Sequence, residues 1–244
     1  MSTTAIIQAR MSSTRFPGKV LHSLNGKNSI QHIVDRLKRS VNIDNIIVAT
    51  TTNPADEAIV AYCAYNNISF FCGSENDVLD RVYQCALANE VDVVVDLTAD
   101  CPFIDIDMVD EMITLLNVYG YDYYSNVVER TWPDGFDIQV YTFKTLEYIW
   151  QNVEQGPHRC HTGWNVLKYD KMFRIGNLDA PKGYRLPEMG LTLDTVEDAE
   201  VISEIFKKFD NKYFSVFECI DFVLEHPELM AINSNVERKI PGMG

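Results

Sequence analysis

Residues 91–105 read VDVVVDLTADCPFID. Four of the first seven are Val and one is Leu, and the TADCP that follows is turn-forming. Such a run is a strand with both faces buried, which is how strands of a parallel sheet covered by helices read. Met108, Val109, Met112, Ile113 and Leu116 then recur at helical spacing, completing a strand–loop–helix step.

Working outward, the same step repeats. Thr4 to Ala9 is a short apolar run, followed by a polar loop from Arg10 to Lys19 that contains Pro17-Gly18. Ile30, Ile33, Val34 and Leu37 predict a helix, and NIIVATT (Asn45 to Thr51) a second buried strand. A helix near Ala55 to Asn66, a strand Ser69 to Cys72 and a helix from about Asp77 extend the alternation. Repeated βα units imply an α/β fold with a parallel sheet.

After Gly120 the alternation ends. Tyr121 to Val128 and Phe136 to Thr142 read as strands joined by a turn at Trp132 to Gly135, and Phe143 to Asn152 as a helix. A Gly156-Pro157 break precedes a further helix to about Tyr169, with strands expected near Phe173 to Leu178 and Gly190 to Leu193. Ala199, Ile202, Ile205, Phe206 and Phe209 return to helical spacing, Phe217 to Leu224 follow, and the residues after Asn233 read as a tail. The expected organisation is one compact α/β domain over residues 1–244, with a regular half over about 1–120, an elaboration over about 121–190, and a returning strand with C-terminal helices over 191–244.

Composition narrows the function. The 244 residues are 46% hydrophobic, 23% charged and 11% aromatic, an ordinary globular balance. Lys and Arg number 21 against 35 Asp and Glu, a net charge of −14, so the mean field repels nucleic acid and anionic membrane surfaces. No apolar run approaches the ~20 residues that span a bilayer. Cys63, Cys72, Cys85, Cys101, Cys160 and Cys219 lack CxxC spacing, and no basic segment leads into an apolar one at the start, which points to free thiols in a reducing cytoplasm.

Ligands of open α/β sheets sit beyond the carboxyl ends of the strands. In the first loop, Arg10, Arg15 and Lys19 stand with Ser12, Ser13 and Thr14 between them. Neither GxxxxGK[ST] nor GxGxxG is present, so the P-loop and dinucleotide fingerprints are absent. The cations and hydroxyls suit a triphosphate, the alternative being a solvated basic loop. Asp100 ends one strand and Asp194 follows Gly190 to Leu193. With phosphate oxygens, two such carboxylates would complete a Mg²⁺ site, the alternatives being a turn former and a helix N-cap. His158, Cys160 and His161 cluster, but no second half with zinc-ligand spacing exists.

Five blocks carry a resemblance. IIQARMSSTRFPGKVL (Ile6 to Leu21) resembles the signature of the cytidylyltransferases that make CMP-activated sugars, and in particular their relatives in spore coat polysaccharide biosynthesis. The family also includes the CMP-Kdo and acylneuraminate cytidylyltransferases. GSENDVLDRV (Gly73 to Val82), DLTADCPFID (Asp96 to Asp105), WPDGFDIQVY (Trp132 to Tyr141) and LTLDTVEDAEVI (Leu191 to Ile202) are similar to later blocks, in order. The resemblance implies a nucleotide-diphospho-sugar transferase (GT-A-like) fold, a Rossmann-like mixed sheet flanked by helices, dimeric through the later lobe. It implies that CTP and an acidic sugar give a CMP-sugar and pyrophosphate, with Mg²⁺ as cofactor.

Carried over by position, Arg10, Arg15 and Lys19 would hold the triphosphate beside Ser12, while Gln8, Ala9, Ser74 and Arg81 would line the cytidine pocket. Asp100 and Asp194 would bind the metal, and Arg15, Lys19 and Asp100 would carry catalysis. Asp134, Asp137, Gln139, His158 and His161 would face the acceptor. Here the chain departs from many relatives: GPHRCHT (Gly156 to Thr162) stands where a Glu-His-Val-Thr block is common, and DIQV (Asp137 to Val140) where DvEv is common. Kdo-, sialic- or legionaminic-type acids, a non-sugar alcohol or phosphonate, another nucleoside triphosphate in place of CTP, and a catalytically silent nucleotide- or sugar-binding relative all stay open.

Overall fold

The computed structural model describes residues 1–238. In chain order the elements are β1 (Thr3–Gln8), β2 (Ser23–Leu24), β3 (Lys27–Asn28), α1 (Ser29–Leu37), β4 (Asn45–Thr51), α2 (Glu57–Tyr65), β5 (Ser69–Gly73), α3 (Val78–Ala88), β6 (Val93–Thr98) and α4 (Ile106–Tyr119). Then come β7 (Tyr123–Ser125), β8 (Gln139–Thr142), α5 (Phe143–Asn152), α6 (Thr162–Leu167), β9 (Ile175–Asn177), α7 (Val196–Lys208), α8 (Val216–Glu225) and α9 (Pro227–Ile232). Short 3-10 turns occupy Lys19–Leu21, Pro54–Asp56 and Pro157–Cys160.

One seven-stranded sheet runs β5-β4-β1-β6-β8-β7-β9. The first four strands are parallel, and β8 runs antiparallel to both β6 and β7. This is the α/β fold with a mixed sheet expected from the sequence, and the reversal at β8 is where the βα alternation stops. Period-2 alternation sorts the strand side chains. Ala5, Ile7, Val48, Val93 and Val95 pack with α1, α2, α4, α7 and α8, while Ile6, Ile47, Ala49 and Val94 pack with α3, α5 and α6.

Past α4 the strands β7, β8 and β9 are shorter than the runs expected for them, and one expected strand does not form. The Asn126 side chain donates to Phe136 O (2.7 Å) and accepts from Ile138 N (2.9 Å). An amide side chain thus replaces ladder bonds beyond Ser125, and β7 ends there. The strand expected over Gly190 to Leu193 does not form; its backbone makes only one bridge, Asp134 with Gly190. Leu191 and Leu193 alternate inward as a strand would, but Leu191 N bonds Asp134 O (2.7 Å) and Leu193 N bonds Asp100 O (2.8 Å). The segment is stitched to two different loops and has no neighbouring ladder. Gly135 allows this approach, at φ +117°, because a Cβ there would lie 2.6 Å from the Leu191 carbonyl carbon.

The tail expected after Asn233 is also corrected. Residues 233–238 pack back onto the segment before α7, as described below; residues 239–244 lie outside the described residues.

Helix starts follow local chemistry: Asp77 caps α3, Asp105 caps α4, and Thr195 with Asp198 forms a capping box on α7. Under α4, Phe103 packs against Phe136, Phe206 and Phe214. Phe103 is fully buried, so Phe103→Ala is expected to cost about 3–5 kcal/mol of stability in urea unfolding. A loss under about 1 kcal/mol would show the aromatic cluster to be peripheral to the core.

Candidate active site

The carboxyl ends of β1, β4, β5 and β6 open into adjacent loops, and the charged groups collect there. The loop after β1 folds on itself: Ser13 N and Gly18 N both bond Met11 O (2.9 and 3.0 Å), and Gly18 turns the chain at φ +75°. A buried carboxylate pins it from outside. Asp56 accepts from Met11 N (2.6 Å) and from the Thr51 hydroxyl.

The turn directs Lys19 inward. Its Nζ lies 2.8 Å from Asp100 Oδ2 and 2.8 Å from Asp194 Oδ1. Burial alone would lower the lysine pKa, but Asp100 and Asp194 outweigh it and the net shift is upward. Burial likewise acts to raise Asp100, and the Lys19 charge with the Thr98 hydroxyl (2.6 Å) brings it below the usual carboxylate range. Arg15 joins the group, with one terminal nitrogen 2.6 Å from Asp194 Oδ2 and the other donating to Glu237 O (2.8 Å). Arg10 and Ser12 lie exposed on the same loop. Arg15, Lys19, Asp100 and Asp194 are therefore one ion cluster, assembled from three separate segments.

The chemistry of this donor set fits a hard divalent cation, since two carboxylates already converge on one cationic centre. Among the described residues no three His, Cys, Asp or Glu gather closely enough to hold a metal alone. Further oxygens would have to come from a bound phosphate chain.

A second group lies beside β1, β5 and β6. Gln8 donates to Asp96 Oδ1 and Tyr141 OH to Asp96 Oδ2 (2.7 Å). Ala9 is buried next to Gln8. Arg81 is buried and donates to Ser74 O (2.6 Å), yet its Nε has no partner among the described residues. Asp77, besides capping α3, accepts from Arg159 Nε (2.7 Å), whose side chain is fully buried.

The acceptor-side residues are only partly joined. Arg130 grips Asp137 through both terminal nitrogens (2.8 and 2.6 Å) and lies 3.4 Å from Asp134. Burial, then the neighbouring Asp137, pushes Asp134 up to about 6. The Gln139 amide oxygen accepts from Tyr123 OH (2.8 Å) against Gly163, where any side chain would strike it. His158 is exposed, its Nε2 2.8 Å from Glu154 O, and His161 is exposed at the start of α6.

Asp56, Asp96, Arg130, Asp198 and Arg238 escaped the sequence reading. Asp96 had a signal, a carboxylate inside the apolar run VVVDL. Asp56 had a weaker one, lying just past the strand NIIVATT.

The sheet is parallel except for one reversed strand, and the basic loop after β1 faces paired aspartates from two other segments. The cytidylyltransferase family model matches residues 4–151. The chain is 34% identical to an uncharacterized protein of Methanocaldococcus jannaschii over 241 residues, 98% of this chain and 97% of that one. It is 33% identical to the spore coat polysaccharide biosynthesis protein SpsF of Bacillus subtilis over 208 residues, covering 83% and 85% respectively. A solved cytidylyltransferase from Leptospira borgpetersenii matches with TM-score 0.88 and 30% identity, over 98% of this chain and all of that one. The chain belongs to the cytidylyltransferase family. No helix among the described residues is long and apolar enough to cross a membrane.

Burial, partly offset by Gln8 and Tyr141, pushes the Asp96 carboxyl up to about 6. A raised carboxyl pKa contributes stability that is present below the unfolded value near 4 and lost as pH rises through the folded value near 6. The wild-type stability minus that of Asp96→Asn should therefore fall between pH 4 and pH 7, by up to roughly 3 kcal/mol, in urea titrations. A flat difference would mean that Asp96 stays ionised throughout.

Proposed function

We propose that this cytidylyltransferase condenses CTP with an acidic sugar, giving a CMP-sugar and pyrophosphate. The observation that carries the reading is the cluster in which Lys19 and Arg15, from the loop after β1, meet Asp100 and Asp194. Family membership supports the nucleotide, and the name of the Bacillus relative supports a place in surface polysaccharide synthesis. A cytoplasmic homodimer is part of the same reading.

In the proposed reaction the acceptor hydroxyl attacks the α-phosphorus of CTP, the bond to the β-phosphate oxygen breaks, and pyrophosphate leaves. Held by Asp100 and Asp194, Mg²⁺ would polarise the phosphoryl centre and screen the leaving group. Arg10, Arg15 and Lys19 would neutralise the triphosphate, with Ser12 on the same loop. Charge on the leaving pyrophosphate grows in the transition state, so cations fixed beforehand lower the barrier without reorganising. Asp56 and Gly18 supply that order by holding the loop closed before ligand arrives.

Gln8, Ala9, Ser74 and Arg81 would border the cytidine, the unpartnered Arg81 Nε being a donor with an unmet bond. Asp134, Asp137, Gln139, His158 and His161 would face the acceptor. In that group Arg130 is the cation that a sugar carboxylate could engage.

Pyrophosphate release with Mg²⁺ and CTP, tested against Kdo-, sialic- and legionaminic-type acids, is expected to occur with CTP and not with ATP, GTP or UTP. Asp100→Asn should lower turnover by about a hundredfold or more while the protein remains folded. Normal turnover in that variant would remove Asp100 from the metal assignment.

A further inference from the structure

Past α9, the chain returns across the segment that carries Asp194. Asn233 Nδ2 donates to Gly190 O (3.0 Å) and to Asp198 Oδ1 (2.9 Å). Arg238 donates to the same Asp198 oxygen (2.7 Å), to Gly190 O (3.3 Å) and to Thr192 O (3.4 Å). Its guanidinium lies directly over the Gly190 Cα, so that a Cβ at this position would fall upon it. The other Asp198 oxygen faces the site. It accepts from Asp194 N (3.1 Å), Thr195 N (2.9 Å) and the Thr195 hydroxyl (3.1 Å).

Part of this is ordinary. An acid at the third position of a helix closes a capping box with the N-cap residue, which accounts for the Thr195 contacts. The box does not require the Asp194 amide, a half-buried arginine partner, or a glycine beneath that arginine. Asp198 is fully buried, and a buried carboxylate is held in one geometry only when its lone pairs are matched on every side. One oxygen is matched by Asn233 and Arg238, which leaves the other committed to the Asp194 backbone. The same C-terminal segment reaches the cluster by a second route, since Glu237 O accepts from Arg15 (2.8 Å).

We propose that Arg238 is a positioning residue that acts through Asp198 to fix the backbone of Asp194, and with it the carboxylate that faces Lys19. Glu237 holds Arg15 against the same carboxylate, so the segment 233–238 braces both a candidate metal ligand and a candidate phosphate cation. The inference rests on the proposed function, and on Asp194 being a ligand of Mg²⁺ in particular. Mutating residues that orient a ligand from behind typically costs about 10–100-fold in metal affinity.

The test is calorimetric binding of CTP to the full chain at stepped Mg²⁺ concentrations. Wild type is compared with Arg238→Ala, Arg238→Lys, Gly190→Ala and Val223→Ala. Val223 is buried on α8, and its truncation supplies a loss of stability that leaves the brace intact. Arg238→Ala is expected to raise the Mg²⁺ concentration at the binding midpoint by about tenfold. Gly190→Ala should raise it in the same direction by displacing the guanidinium without removing its charge, and Arg238→Lys should recover part of the wild-type midpoint. Val223→Ala should lower the melting temperature and leave the midpoint in place. A midpoint within about twofold of wild type in Arg238→Ala would overturn the proposal, as would an equal shift in Val223→Ala. Wild type that binds no CTP at any Mg²⁺ concentration would remove the proposal together with the CTP reading beneath it, an outcome visible before any variant is compared.

Discussion

The Lys19 ammonium between Asp100 and Asp194 is the contact on which the site depends. It joins the loop after β1, the end of β6 and the segment before α7. Burial alone would pull the Lys19 pKa down, but the two carboxylates turn the net shift upward, and the Lys19 charge in turn helps hold Asp100 below the usual carboxylate range. Such a group is costly to break, because removing one partner leaves the others charged, enclosed and unmatched. The cluster is thus a brace for three segments distant in sequence.

The sheet explains why that brace can form. Parallel strands place β1, β4, β5 and β6 with their carboxyl ends on one side, so every loop that follows them opens into the same space. Reversal at β8 then brings Gln139 opposite Asp96, and Tyr141 donates to Asp96 from the same strand. A buried carboxylate in the middle of a sheet is expensive unless its oxygens are matched. Here Gln8 and Tyr141 match them, and Gln8 is held where the first loop begins. Asp56 does the same from the β4 side. Buried acids therefore hold the basic loop in place, with Lys19 turned inward and Arg10 exposed.

Much of the fold was legible locally. NIIVATT spans β4 residue for residue, and Phe143 to Asn152 spans α5, because a β-branched run and a capped amphipathic stretch each carry their own signal. The failures have one cause. Gly190 to Leu193 alternates inward like a strand, but whether a segment gains a ladder depends on what lies beside it, and two loops lie there. Residues after Asn233 look like a polar tail because the partners that anchor them, Gly190 and Asp198, are distant in sequence. Asp198 closes the capping box of α7 with Thr195, and nothing local reveals the task of its other oxygen.

By itself the sequence determined the alternation of strands and helices, the point at which it ends, and the positions of charged residues just past strand ends. Those are properties of periodicity and of nearest neighbours along the chain. Only the tertiary structure decided that Lys19 lies between Asp100 and Asp194, that Arg130 is held by Asp137, and that Arg238 reaches Asp198. Charges pair by distance in space, and that distance is set by how the sheet orders its strands, which no short stretch of sequence encodes.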